Sequence, residues 1–451
     1  MTLRVREARR GKRFLRSLAF PAIPARLLRS CVLCVPAVCG AYSLYRANLH
    51  SHTGYSDGMS VPSHAFVYAR DTARIDILGV TDHAELLTEE EWTDIKVQAD
   101  SATRPGRFLG LRGFEWTNYY FGHVCVWNTS GRACCTSQVT MPQFYAWLDS
   151  QPEPLAQFNH PAPVHYDSFA YCPGADSTFV LLEMLDTNNA ACYPVALDSG
   201  WHVAMAASQD NHEMDWGRGN RLTGIWADSL NAGSIFDALR RMRTFGTQDR
   251  NFVLQFCAND SWMGSTITGG RVCFQVLASD PDSADNIRRI DIITNHRVPV
   301  CSLIVGDRNS VGWQESTYVE SDSERYFFVR VIENDGDYVI SSAVWVQGHA
   351  SAAGEGSDLR AFGLDAIEPN PFSGHTVIRY LLPAASPVSL RLFDLTGRQT
   401  RLLANGEQSA GQHSLRLETG GPESGLRMSR GVYFLVLRVG DQQATKKLIV
   451  R

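Results

Sequence analysis

The chain has 451 residues, with 42 Lys and Arg against 47 Asp and Glu and a formal net charge of −5. Without the basic leader described next, 33 basic residues face 46 acidic ones, a net charge near −13. That balance argues against a nucleic-acid backbone as an electrostatically steered partner, and the length suits several domains rather than one.

Residues 1–41 run from a basic stretch, Arg4 to Arg29, into a short apolar segment, Ser30 to Cys39, and end in the small residues Gly40 and Ala41. Basic, then apolar, then small is the order of a secretory signal peptide, here with cleavage expected near Ala41. The apolar segment is too short for a membrane span, and Val38 before Cys39 lacks the small residue of a lipoprotein signal.

Five apolar runs then end in ligand-type residues. His50 and His52 stand at i and i+2 on a predicted strand, so both imidazoles leave one face, and Asp57 follows in a Tyr-Ser-Asp-Gly turn. The run Asp76 to His83 is a predicted buried strand ending in Asp82 and His83, which face opposite ways. His83 is assigned to a metal and Asp82 to fixing its tautomer. Phe108 to Trp116 delivers Glu115 at a strand end, where a carboxylate can bridge two cations. His123 opens the next strand, and Leu155 to Asn159 ends at His160, with Pro161 stopping the ladder. Val203 to His212 finishes in Asp210 and His212, again at i and i+2. Such regularity is what a parallel α/β barrel gives when its strands deliver ligands to one rim. Glu183 sits on a further strand and could line the pocket. Arg218 and Arg221, just past the last pair, are either a phosphate clamp or solvated loop residues. His64, His165 and His202 are assigned to helices or loops.

In order, His-x-His with its downstream Asp, Thr-Asp-His, Gly-Phe-Glu, Asn-His-Pro and Ser-x-Asp-x-His resemble the polymerase and histidinol phosphatase (PHP) superfamily, in its carbamate-hydrolase-like branch. The resemblance implies a distorted seven-stranded (β/α) barrel over residues 42–250 with two or three divalent cations. By that likeness His50, His52, Glu115 and Asp210 hold one cation. Glu115 bridges to a second at His123 and His160, and Asp57, His83 and His212 hold a third. Zinc, manganese and iron suit mixed imidazole and carboxylate ligands about equally. The implied reaction is attack of a metal-activated water on a small-molecule phosphate ester, with Asp82 and Arg218 assisting. Carboxylic or carbamic ester hydrolysis is the alternative. A surface-displayed binding module is the non-enzymatic reading, disfavoured by the complete ligand set.

Within residues 251–348, Asn251 to Phe256, Val272 to Val276, Ile290 to Ile293 and Tyr326 to Val331 alternate as half-buried strands, and the region resembles the β-rich extension that follows the barrel in the same branch. Residues 349–365 form a linker rich in Ala, Gly and Ser. From 366 to 451, Pro369-Asn370-Pro371-Phe372 precedes alternating strands that imply an immunoglobulin-like β-sandwich. With Leu395-Thr396-Gly397-Arg398 and the closing Lys446 to Arg451, this segment resembles the C-terminal sorting domain of type IX secretion. That likeness implies the secretion machinery as partner, passage across the outer membrane and, often, attachment to the cell surface. An ordinary accessory module is the alternative. Eight of the eleven cysteines follow the leader, an even number that permits disulfides in an exported chain, with loop staples expected around residues 125–192. Cys134 and Cys135 are adjacent and ill-suited to bond each other, and no Cys-x-x-Cys pair after the leader points to a thiolate zinc site.

Overall fold

The computed structural model describes residues 42–133, 138–282, 285–319, 324–348 and, apart from 383, 396, 410, 420–427 and 441, residues 363–451. The expected leader, Cys134 and Cys135, and most of the expected linker lie outside them.

The architecture is mixed α/β around one large sheet. Its first nine strands are β1 (Ser43–Asn48), β2 (Ile77–Val80), β3 (Leu109–Asn118), β4 (Gly122–Trp127), β5 (Leu155–Asn159), β6 (Phe179–Met184), β7 (Ala204–Ala207), β8 (Leu222–Ala227) and β9 (Thr244–Thr247). Strands β2, β5, β6 and β7 are buried along their whole length, which is why they read as continuous apolar runs. Strands β1, β2 and β3 pair in parallel, as do β5, β6 and β7. Helices cover the connections. The one at Glu89–Ala102 opens on a Thr88/Glu91 capping box and buries Trp92, Ile95, Ala99 and Ala102 at helical spacing.

Strand β4 departs from the all-parallel expectation: it pairs antiparallel with both β3 and β5. Only residues 119–121 separate β3 from β4, a hairpin turn too short for a crossover helix. Reversal puts the start of β4 at the same edge as the ends of its neighbours, so Thr117 pairs with His123 and His123 with Asn159. Glu115 is accordingly not at a strand end, because β3 continues to Asn118 to complete the hairpin.

The sheet rolls until β7 lies alongside β8 and β9. Threonine hydroxyls join them: Thr223 Oγ1 donates to the Ala207 carbonyl at 2.8 Å and accepts from the Ala207 amide at 3.0 Å. Thr244 Oγ1 donates to the Met205 carbonyl at 2.8 Å. At the ligand-bearing edge, the His52 amide donates to the Asn211 carbonyl at 2.8 Å, tying the exit of β7 to that of β1.

Beyond β9 the chain is almost all strand. β10 (Val253–Ala258), β11 (Ser261–Trp262), β13 (Gly270–Ser279) and β16 (Ser310–Val319) form a four-stranded sheet. β12 (Thr266–Thr268), β14 (Ile287–Thr294), β15 (Val298–Arg308), β17 (Arg325–Glu333), β18 (Tyr338–Ser341) and β19 (Val344–Gln347) extend the large sheet, with β18 paired to β9. One core, including Phe256, Phe274, Ile290, Ile292 and Val329, unites these strands. The C-terminal region has a three-stranded sheet (Gly363–Glu368, His375–Leu382, Gly411–Glu418) and a four-stranded one (Ser386–Asp394, Gln399–Gln408, Gly431–Val439, Gln442–Val450). Ile378, Leu390, Leu435 and Leu448 belong to their common core.

Cys257 is disulfide-bonded, whereas Cys125, Cys172, Cys192, Cys273 and Cys301 are free thiols. The staples expected around residues 125–192 are therefore not made by Cys125, Cys172 or Cys192. Cys192 is buried in the apolar core, and Cys125 is buried beside a polar cluster, where its Sγ accepts from Asn159 Nδ2 at 3.0 Å.

Candidate metal centre

Nine predicted ligands meet at the rolled edge of the sheet. His50 and His52 leave β1 on one face as the strand pitch requires, and their Nε2 atoms lie 3.1 Å apart. Asp210 Oδ1 is 3.2 Å from each. Glu115 is the hub: Oε1 lies 3.2 Å from His50 Nε2, 3.3 Å from His123 Nδ1 and 3.4 Å from His160 Nε2. Its Oε2 lies 3.0 Å from His83 Nδ1 and 3.5 Å from His52 Nε2. Asp57 Oδ1 stands 3.3 Å from His212 Nε2, 3.5 Å from His83 Nε2 and 3.7 Å from His52 Nδ1. Four overlapping ligand groups result, and each could hold a cation: His50, His52 and Asp210; Glu115, His123 and His160; His52, Asp57, His83 and His212; and His50, Glu115 and Cys125.

The donors converge in a way that leaves room for cations. Among the described residues, Asp210 Oδ1 and His123 Nδ1 are buried yet lack hydrogen-bond partners. The His212 Nδ1 hydrogen goes to the Asp210 carbonyl at 2.9 Å, which frees Nε2 to face Asp57. Hard and borderline donors in this mixture fit zinc, manganese or iron.

Local backbone chemistry explains the placements. The Asp57 turn folds back over its own start, where a Cβ on Gly58 would meet the His52 carbonyl carbon at 2.7 Å and one on Gly54 the Ser60 oxygen at 2.6 Å. Only glycine allows that approach. His160 and Asp210 have φ of +26° and +49°, a cost on the order of 1–3 kcal/mol each that bends both chains inward after their strands.

Electrostatics follow from burial. His50, His52 and Glu115 are buried, and exposure rises to 37 % at His212 and 49 % at Asp57, so the third group opens to solvent. Burial alone would raise the Glu115 carboxyl, but the surrounding His50, His123 and His160 hold it well below the usual carboxylate range. Burial opposes charge on His50, and the facing Cys125, Asp210, Glu183 and Glu115 reverse this and raise its pKa well above normal. The Cys125 thiol is itself pushed up to about 11 by burial, so at neutral pH it is the carboxylates that carry the charge. His83 and His160 are raised despite burial by Glu115 and its neighbours, while burial together with His50 and His83 lowers His52.

Two assignments need correction. The Asp82 carboxylate binds the Asp57 turn: Oδ1 accepts from the Thr53 amide and Ser56 Oγ, both at 2.6 Å, and Oδ2 from Thr53 Oγ1 at 2.7 Å. It shapes that turn, while the His83 ring is held by Thr117 Oγ1 at 2.7 Å and by Glu115. Arg218 is exposed on the loop beyond His212, and its side chain makes no contact with the cluster among the described residues. Arg221 donates to the Leu185 carbonyl at 3.1 Å. His64, His165 and His202 lie outside the cluster, His202 being bound by Asp176 and Glu324.

Glu183 has a larger part than expected. Fully buried, it accepts from His50 Nδ1 at 2.9 Å and from the His160 amide at 2.7 Å. The signal was present in the sequence: a single carboxylate inside Phe179-Val180-Leu181-Leu182-Glu183-Met184 must find a partner once the strand is buried. Asn159 was missed entirely; its Nδ2 donates to Glu115 Oε1 at 2.7 Å.

Residues 366–451 match the family model of the secretion system C-terminal sorting domain. The protein is thus a cargo for secretion or the cell surface, and among the described residues no helix is long and apolar enough to cross a membrane. No curated protein matches the chain. Among solved structures, a two-domain protein from Bacteroides vulgatus described as containing a predicted PHP-like metal-dependent phosphoesterase is similar at 13 % identity and a TM-score of 0.39. That similarity covers 66 % of this chain and 95 % of the other. Dimeric latent PorU from Porphyromonas gingivalis follows at 14 % identity and a TM-score of 0.19, over 44 % of this chain and 20 % of PorU. At such scores the likenesses add nothing to the site, whose geometry stands by itself.

Proposed function

We propose that the protein is an exported, metal-dependent hydrolase that acts on phosphate esters. In this reading residues 42–250 are a PHP-type barrel closed at β7, residues 251–348 are its extension, and residues 366–451 are an immunoglobulin-like sorting domain behind a linker. The observation that carries it is Glu115: one buried carboxylate within 3.5 Å of five histidines, in the midst of four overlapping ligand groups. Neither a satisfied core nor a solvated surface calls for that arrangement.

Cations held there would lower the pKa of bound water and polarise a phosphoryl oxygen. His50, His52 and Asp210 would hold one, Glu115 with His123 and His160 a second, and Asp57, His83 and His212 a third. Glu183 keeps the proton on His50 Nδ1, so the Nε2 lone pair faces inward. Thr117 and Glu115 do the same for His83, whose Nε2 faces Asp57. Asp82 holds the turn that presents Asp57. The solvent-facing third group is where an ester enters.

The test is parallel assay of the protein with p-nitrophenyl phosphate, bis-p-nitrophenyl phosphate and p-nitrophenyl acetate. Phosphate-ester turnover that a chelator abolishes and zinc or manganese restores is expected. Turnover of the acetate alone would replace this reading with a carboxyl-ester hydrolase, and bound metal without any turnover would make the protein a binding module.

A further inference from the structure

A second group of carboxylates lies away from the histidines. Asp249 follows β9, Asp280 follows β13, Asp285 precedes β14 and Glu333 ends β17, and one oxygen of each lies within 4.8 Å of the others. Glu333 is fully buried, Asp280 is 1 % exposed and Asp249 8 %. One oxygen of Asp249 accepts from the Asn251 amide and one of Asp280 from the Asp282 amide, both at 2.8 Å. Among the described residues, Asp280 Oδ2 and both oxygens of Glu333 are buried with no hydrogen-bond partner. A carboxylate taken out of water with both oxygens bare, and pointed at three more carboxylates, is unstable unless something positive sits among them. Arg46 near Asp249 does not fill that role, because its Nη2 donates to the Asn251 and Phe252 carbonyls. Left alone, Glu333 is pushed up to about 9 by burial and then by Asp249, Asp285 and Asp280.

We propose that Asp249, Asp280, Asp285 and Glu333 bind a hard divalent cation, calcium foremost, that fastens the β-rich extension to the rolled sheet. The four side chains offer oxygen alone, with no imidazole or thiolate, which selects calcium or magnesium over zinc. Four carboxylates, some bidentate, with backbone oxygens or water, suit the six to eight ligands and loose geometry of calcium better than the strict octahedron of magnesium. The site ties together segments from both sheets: β13 belongs to the four-stranded sheet, and β9, β14 and β17 to the large one. Extracellular calcium modules work at affinities of about 10⁻⁴–10⁻³ M, so a cargo of the secretion system would acquire this clamp after export.

The test uses the full secreted chain with its histidine centre loaded with zinc, dialysed free of calcium and titrated with calcium chloride. One calcium per chain is expected by calorimetry, with a rise in melting temperature of roughly 5 °C at saturation. Magnesium should give a smaller rise. Glu333→Gln should lose both the binding and the rise, yet melt no lower than the wild type without calcium, because its neutral amide stands in for the protonated carboxyl. Should that variant fail to fold, Asp280→Asn makes the same test. No bound calcium at millimolar concentration, or an unchanged calcium response in either variant, would overturn the proposal and leave the cluster as carboxyl groups held neutral by protons.

Discussion

The protein gathers acidic side chains in two buried places, and they differ in every other respect. At the rolled edge of the sheet, carboxylates alternate with histidines, and each like charge has an opposite neighbour: Glu115 is ringed by imidazoles and its pKa falls. At the base of the extension four carboxylates face one another, and Asp280 and Glu333 rise to about 6 and about 9. The first cluster opens to solvent through Asp57 and His212, whereas Glu333 in the second is wholly enclosed. An open site with mixed donors suits turnover, and a closed all-oxygen site suits fastening. Burying charge costs the same in both; what differs is the partner each demands.

The sharpest way to break the comparison is Glu115→Gln. It should lower metal content at the histidine centre and hydrolysis by more than about 100-fold, while calcium binding at Glu333 stays intact. Metal analysis beside the ester assay would show it. Glu183→Gln touches no proposed cation and acts only through His50 Nδ1 and the His160 amide. It should cost about 10- to 100-fold in metal affinity, seen as a raised metal requirement for activity rather than as unfolding. Selective stripping sharpens the contrast further: phenanthroline should abolish hydrolysis with little change in melting temperature, and dialysis into calcium-free buffer should do the reverse.

The smallest effect concerns His202, which Asp176 and Glu324 hold at 2.8 and 3.0 Å. Their hydrogen bonds raise its pKa to about 9 from 6.5. A raised pKa in the folded state contributes stability that is complete below pH 6.5 and lost as pH rises through about 9. With Glu324 35 % exposed, the contribution is at most about 1 kcal/mol. Melting curves of His202→Ala should therefore fall below the wild type at pH 6 and meet it at pH 9.5.

Much of the histidine centre was legible because its ligands obey strand geometry. His50 and His52 share a face at i and i+2, and His160 and Asp210 follow apolar runs that end abruptly. The reversed β4 was legible only in part: the three-residue spacing before Gly122 marks a hairpin, but the ligand pattern looks the same whether His123 begins an antiparallel strand or ends a parallel one. Asp82 was misread because sequence adjacency to His83 says nothing about where a strand-end carboxylate turns. The carboxylate cluster was invisible, since Asp249, Asp280, Asp285 and Glu333 come from separate loops and strand ends brought together only by sheet pairing. Strands β8, β9, β15 and β16 also went unread. β15 and β16 are largely exposed and carry a weak alternation, and their pairing with β14 and β13 decides their state.

The central claim is that the side chains around Glu115 form a working metal centre. Turnover of p-nitrophenyl phosphate measured against added equivalents of manganese, starting from stripped protein, tests it most directly. Activity that climbs from zero and breaks at two or three equivalents, with Glu115→Gln flat throughout, is the predicted result. Turnover that does not depend on metal, or a Glu115→Gln titration that matches the wild type, would contradict it.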